Sequence, residues 1–283
     1  MNYYHIYTKG LEDRQLFRDD DDFVAAMNLI AVAFFGVSIE IWAFVLMSNH
    51  VHFVIRAHQD QAEKFISLYK NLLSRYLRSR YNEAKALRHL NTSIDLVDPS
   101  IDNIKRLIAY ILNNPVKAGI NCVPQGYEWS SARCYFNLMD SLSDTVPISE
   151  FSVREQRRIL HSYSRLPATC RVNTKGYVTP QSYVNSIAVE RLFKSSRSFE
   201  FFLSSSLSIR KGVSENITFS DSTLNTAMRE LLEKKYDAAS IDELDDFLKK
   251  NILKDLKSRF SASSKQLARI SGLSVNEVIR YLD

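Results

Sequence analysis

The feature that most constrains this chain is a pair of apolar runs only two residues apart. Val37 to Met47 reads VSIEIWAFVLM, and His50 to Ile55 reads HVHFVI, with Ser48-Asn49 between them. β-Branched and aromatic residues at this density suit a pleated, largely buried surface. Strands joined by two residues have no room for a crossover, so these two pair antiparallel.

The flanking segments extend the pattern. Tyr3 to Tyr7 has strand composition and Gly10 closes it. Asp19 to Asp22 stacks acids where a helix N-terminus favours them, ahead of an apolar run from Phe23 to Phe35 that Gly36 ends. Gln61 to Ala86 repeats its apolar residues at three- and four-residue steps, as a helix does. Asn91 to Val97 reads as another strand and Asp98-Pro99-Ser100 as a turn. Asp102 opens a helix that must stop near Asn114, because Pro115 follows. The order predicts an α+β fold, with helices packed on a mainly antiparallel sheet.

Beyond Cys134 the periodicity weakens. Asn173 to Val184 is polar, and Ser195 to Ser208 is rich in serine and phenylalanine. Thr223 to Tyr236 and Ile241 to Phe260 read as helices. The end, Ser264 to Leu282, gives two short helices with Gly272 in the turn and Ser274 placed to form a capping box with Glu277. The expected organisation is an α+β domain over 1–137, a poorly defined connection over 138–222 and a mostly helical extension over 223–283. Its last part, about 262–283, resembles a helix-turn-helix.

Composition excludes several classes. At 45% apolar and 24% charged residues the chain is globular, and 7 Gly with 6 Pro exclude a collagenous one. Three cysteines without a C-x-x-C spacing indicate neither a disulfide framework nor a zinc ribbon. The opening Met-Asn-Tyr-Tyr-His lacks a secretory pattern, and Gly36, Ser38 and Glu40 interrupt the longest apolar stretch. A cytoplasmic protein with no membrane partner is expected. Charge is uneven: residues 1–150 hold fifteen Lys and Arg against seventeen Asp and Glu, and the remainder twenty-two against fifteen. A basic second half favours an anionic partner or is simply a solvated basic surface.

Asn49-His50-Val51-His52 is the strongest chemical signal. On a strand, residues two apart share a face, so His50 and His52 stand side by side while Val51 faces the core. Neutral imidazoles so paired suit a divalent cation, although two half-exposed strand histidines satisfy the same pattern. Tyr110 and Asn114 are four apart and share a helical face one turn apart. They offer an oxygen nucleophile and a hard carbonyl ligand, or equally an ordinary half-buried aromatic and its neighbour.

These residues together resemble a family. N-H-V-H-F-V-I after V-S-I-E-I-W-A-F-V-L-M-S is similar to the His-hydrophobic-His strand of single-tyrosine transposases of the insertion-sequence type. Tyr110 to Gly119 (YILNNPVKAG), then Tyr127-Glu128-Trp129-Ser130-Ser131, resemble the REP-associated tyrosine transposase branch. So does Tyr4-His5-Ile6-Tyr7-Thr8-Lys9-Gly10 with Leu16-Phe17-Arg18-Asp19. The resemblance spans about residues 1–137. It implies a ferredoxin-like nuclease palm that cuts hairpin-flanked single-stranded DNA, keeping the 5′ end as a phosphotyrosine and leaving a free 3′ hydroxyl. Position by position it makes Tyr110 the nucleophile and His50, His52 and Asn114 ligands of Mg2+ or Mn2+. Two departures stand out. Arg88 to Val97 replaces a Gly-aromatic-Gln/Arg stretch, and Lys9 stands where an arginine is common, losing bidentate phosphate geometry.

Lys64, Lys70, Arg75, Arg78 and Arg80 alternate with Phe65, Tyr69, Tyr76 and Tyr81, a mixture that suits single-stranded DNA, although such aromatics also serve as core. Lys9 joins them as a DNA contact. In the terminal helix-turn-helix, Ser274, Asn276, Glu277 and Arg280 are the candidate contacts to duplex DNA. A homodimer is compatible with this reading. The competing readings are a DNA-binding protein that keeps the scaffold without the chemistry, and a two-histidine hydrolase that uses water.

Overall fold

The structure, a computed structural model, describes residues 1–9, 15–82, 91–136, 144–208, 221–260 and 262–282. It begins with β1 (Asn2–Lys9), α1 (Asp20–Phe35), β2 (Glu40–Met47), β3 (His50–Ala57), α2 (Gln59–Tyr81) and β4 (Asn91–Val97). The strands form one antiparallel sheet in the order β2-β3-β1-β4. That order, with a helix after the first and third strands, is the ferredoxin-like arrangement. Tyr7 lies opposite His52 and His5 opposite Val54, so the pleat puts Tyr3, His5, Tyr7, His50 and His52 on one face.

The other face is apolar and carries the first two helices. Phe53 packs edge-on against Phe65 and Tyr69 of α2. Asp19 caps α1 by accepting from the Asp22 amide, as the acid cluster predicts. Gly36 at its far end lies so close to α2 that a Cβ would sit 3.0 Å from Leu68 Cδ2. Asn82, in the left-handed region, ends α2. The predicted continuation to Ala86 lies outside the described residues.

On the histidine face lies α3 (Ile101–Leu112), against β2 and β3. The sequence predicts one helix reaching Asn114, but α3 stops at Leu112 and Asn114 opens a separate turn, α4 (Asn114–Lys117). Pro115 has no amide for the Ile111 carbonyl, and the Asn114 side chain donates there instead. The stretch Tyr127 to Ser131 covers the outer edge of β2: Leu46 N donates to Trp129 O and Ser131 N to Phe44 O.

The core does not stop at residue 137. It runs continuously from Tyr4 to Leu203 and takes in most of the stretch that reads as connecting in sequence. That stretch builds a small ladder of β5 (Thr145–Pro147) with β6 (Arg171–Asn173), then α5 (Val153–Leu160), α6 (Ser186–Phe193) and α7 (Ser196–Ser208). Asn28, fully buried on α1, donates to the carbonyls of Ile159 and Gly176 and accepts from the Val178 amide. A buried amide with three of its bonds made ties the segment down.

A second core, Leu224 to Tyr281, is shared by α8 (Asp221–Leu231), α9 (Asp246–Phe260), α10 (Ser264–Ser271) and α11 (Val275–Leu282). Gly272, at φ 75°, makes the turn between the last two helices. Ser274 and Glu277 form the predicted capping box. Among the described residues no helix is long and apolar enough to cross a membrane.

Candidate active site

Three imidazoles gather on the open sheet face. The rings of His50 and His52 lie 5.0 Å apart, and His52 stacks at 5.2 Å on His5 of the neighbouring strand. His5 Nε2 and His52 Nδ1 are 2.9 Å apart, a hydrogen bond. Tyr7 stacks on both rings. Burial holds all three histidines neutral: His50 and His5 fall to about 4 and His52 to about 2. For His50 a hydrogen bond with Asn114 opposes the shift, and the nearby Arg269 charge adds to it.

The end of α3 brings the other two predicted residues to this cluster. Tyr110 lies edge-on to His52 at 6.3 Å and to His5 at 6.5 Å. It is 44% exposed, so its side chain is open to a ligand. Lys117 of α4 places its ammonium 4.2 Å from the Tyr110 ring centre. The Asn114 amide nitrogen donates to the carbonyls of Tyr110 and Ile111, which turns its oxygen toward His50. The Nδ1 of His50 meets Asn49 Oδ1 at 2.8 Å, fixing the ring from its other side. His50, His52, Asn114 and Tyr110 therefore meet in one place.

Among the described residues no group of three or more His, Cys, Asp and Glu side chains could hold a metal ion. The candidate set contains two imidazoles and one carboxamide oxygen. Neutral imidazoles keep their lone pairs, and such a mixed nitrogen and oxygen set fits manganese better than the all-oxygen preference of magnesium.

The sequence gives no sign of a buried acid beside the histidine turn. Asp221, at the start of α8, accepts from Ser48 Oγ, the residue before Asn49-His50. Arg269 of α10 grips the same carboxylate with Nε at 2.7 Å and Nη2 at 3.0 Å, and Gln266 donates to it at 3.2 Å. His5 also escapes a reading of single motifs. Its signal is the alternation Tyr3-His5-Tyr7, which gains meaning only when β1 lies beside β3.

The predicted DNA contacts fare unevenly. Lys9 closes β1 opposite Asn91, and its side chain lies outside the described residues, as does Arg88. Lys64 pairs with Asp60 at 3.3 Å, and burial lowers the pKa of Lys70. Arg75 and Arg78 are exposed. Arg80 is no free cation: Asp19, Asp21 and Asp22 all pair with it. The interleaved Phe65, Tyr69 and Tyr76 are buried in the core, while Tyr81 is only partly covered. Asn276 and Arg280 are exposed on α11, with Arg280 against the Tyr281 ring.

The antiparallel ferredoxin-like sheet thus carries a His-hydrophobic-His strand and a tyrosine helix on the same face. Residues 2–94 match the family model described as transposase, IS200 like. Among solved structures, a REP-associated tyrosine transposase bound to a REP hairpin is similar at 14% identity and a TM-score of 0.35. The match covers 47% of this chain and 78% of that one. No curated protein matches the chain.

Proposed function

We propose that this protein is a metal-dependent endonuclease and strand transferase for single-stranded DNA, with Tyr110 as its nucleophile. The observation that carries the reading is the position of Tyr110, open to solvent yet beside the imidazole pair and one helical turn from Asn114. A binding module needs none of these four side chains in one place.

His50, His52 and the Asn114 oxygen would hold the cation, which when bound polarises a phosphate oxygen. The protein's own residues do the rest. Asn49 and His5 orient the two imidazoles from behind. The rigid end of α3 aims Tyr110 at the phosphate, and its oxygen bonds to phosphorus as the P–O3′ bond breaks. The phenolic proton passes to solvent, and the departing 3′ oxygen takes one up as a free hydroxyl. Bond count is conserved, so the reaction reverses without an energy source. Lys117 places a positive charge where a bound phosphodiester needs one.

Hairpin-flanked single strands are the substrates this reading favours. The helical region 223–283 is its DNA-holding extension, with Asn276 and Arg280 facing a duplex. The test uses 5′- and 3′-labelled hairpin-flanked strands with randomised flanks, in manganese or EDTA. A metal-dependent covalent adduct on the 5′ end of the downstream fragment, lost in Tyr110→Phe and His50→Ala, supports the proposal. Tight binding with no adduct over the whole pool points to a scaffold without chemistry, and cleavage that survives Tyr110→Phe points to a water-using hydrolase.

A further inference from the structure

A groove lies on the side of the molecule away from the histidines, between α2 and α5. Its walls include Arg75 and Ser79 of α2, Arg158 of α5, His161 and Tyr163 just beyond it, and Asp21 of α1, whose carboxylate pairs with Arg80. The Phe53 contacts with Phe65 and Tyr69 put α2 on the sheet face opposite His52, so this groove is separate from the candidate active site.

Its construction is firm. A complete capping box of Ser152 and Glu155 starts α5, and Asn28 holds the Ile159 carbonyl near its end. His161 adopts the left-handed conformation and packs on Tyr76 at 4.7 Å. The chain then turns sharply through Ser162 and Ser164, whose hydroxyls bond at 3.1 Å, and lifts Tyr163 to 84% exposure. Arg157 lies against that ring, 5.0 Å from its centre.

Among the described residues no salt bridge holds the charges here, although the Glu155 carboxylate acts electrostatically on Arg158. Arg75, Arg157 and Arg158 are exposed, and among the described residues none of them forms an ion pair. Arg80, at the groove's end, is the contrast, held by three carboxylates. Arg75 and Arg158 reach the groove from two different helices. They suit a chain of phosphates. An exposed tyrosine flanked by an arginine adds a platform on which an unpaired base stacks.

We infer that the groove between α2 and α5 binds a single-stranded stretch of nucleic acid, its phosphates on Arg75 and Arg158 and a base on Tyr163. The inference rests on the nucleic-acid reading above and adds a contact surface remote from the chemistry. It needs neither metal nor Tyr110.

The test measures fluorescence anisotropy of the full chain carrying Tyr110→Phe, in EDTA, across a salt series. The probes are a labelled unstructured single strand, a blunt duplex of the same length, and inorganic phosphate as competitor. Arg75→Gln with Arg158→Gln should weaken single-strand binding about tenfold and flatten the salt slope by roughly 1.4, at about 0.7 per lost phosphate contact. Tyr163→Ala should cost about fivefold or more for the single strand, leaving the slope and the duplex unchanged. Arg191→Gln with Arg197→Gln, exposed cations on α6 and α7, supplies the same charge loss elsewhere. Equal weakening in that control, equal loss of duplex binding in Tyr163→Ala, or displacement by millimolar phosphate overturns the inference. The adduct assay judges Tyr110 separately: no adduct with groove binding intact sinks the nickase alone, and an adduct with no groove effect sinks the groove alone.

Discussion

His5 and His52 share one proton across 2.9 Å, between Nε2 of the first and Nδ1 of the second. When His52 donates from Nδ1, its Nε2 keeps a lone pair for a cation, and His5 fixes that tautomer as a partner behind a metal ligand does. His5→Ala should therefore weaken Mn2+ binding by about 10- to 100-fold. A Mn2+ titration followed by electron paramagnetic resonance reads this directly. Affinity equal to that of the unaltered protein would remove His5 from the site.

Tyr110→Phe should leave stability within about 0.5 kcal/mol, because the hydroxyl belongs to a half-exposed side chain. Covalent adduct formation should vanish while DNA binding persists. A large loss in denaturation midpoint would show that the hydroxyl has a structural duty instead.

Acid should destabilise the protein in a definite window. His50 and His5 stand near 4 and His52 near 2 in the folded chain, against 6.5 as the ordinary histidine value. Between pH 6.5 and 4 the unfolded chain binds more protons, so the stabilisation is whole above 6.5 and drains away as pH falls. One histidine contributes at most about 1.4 kcal/mol per pH unit. Solvent reaching the half-buried His5 and His50 makes a total of about 1–2 kcal/mol per unit the reasonable expectation. Urea melts in EDTA at pH 7 and pH 5 measure it, and Mn2+ should restore part of the loss. Equal midpoints at the two pH values would contradict the burial of the cluster.

Asp221→Ala should cost on the order of 3 kcal/mol, since it leaves the largely buried Arg269 without its carboxylate and Ser48 without its acceptor. Asp221→Ala with Arg269→Leu should recover part of that, because the stranded charge is gone. Thermal melts of the two variants decide it. A double variant no better than the single one would place the cost in packing.

The ferredoxin-like half was legible because its signals are local. Dense runs of β-branched and aromatic residues mark Glu40 to Met47 and His50 to Ile55, and Pro115 marks the end of α3. The 3.6-residue recurrence of Phe65, Tyr69 and Tyr76 revealed a helix, while their burial came only with the sheet beneath them. What stayed hidden depends on distance along the chain. Asp19, Asp21 and Asp22 neutralise Arg80 from about sixty residues away, and Asp221 reaches Ser48 from 173 residues away. Residues 145–208 hid for another reason: three-residue strands, short helices and turns carry too little periodicity to register, even though Asn28 and the core hold them firmly.

The Asp221 carboxylate sets the mechanics of the C-terminal helices. A flexible leash would let that unit wander and raise only the local concentration of DNA. Here, swinging the unit away would tear a buried anion from Ser48 and leave the histidine turn without its backing. On the reading proposed above, the unit would act as a ruler: a duplex lying on α11 would be held at one set distance from His50, so the spacing between the bound site and the cut strand would be measured by the protein and not by the reach of a linker.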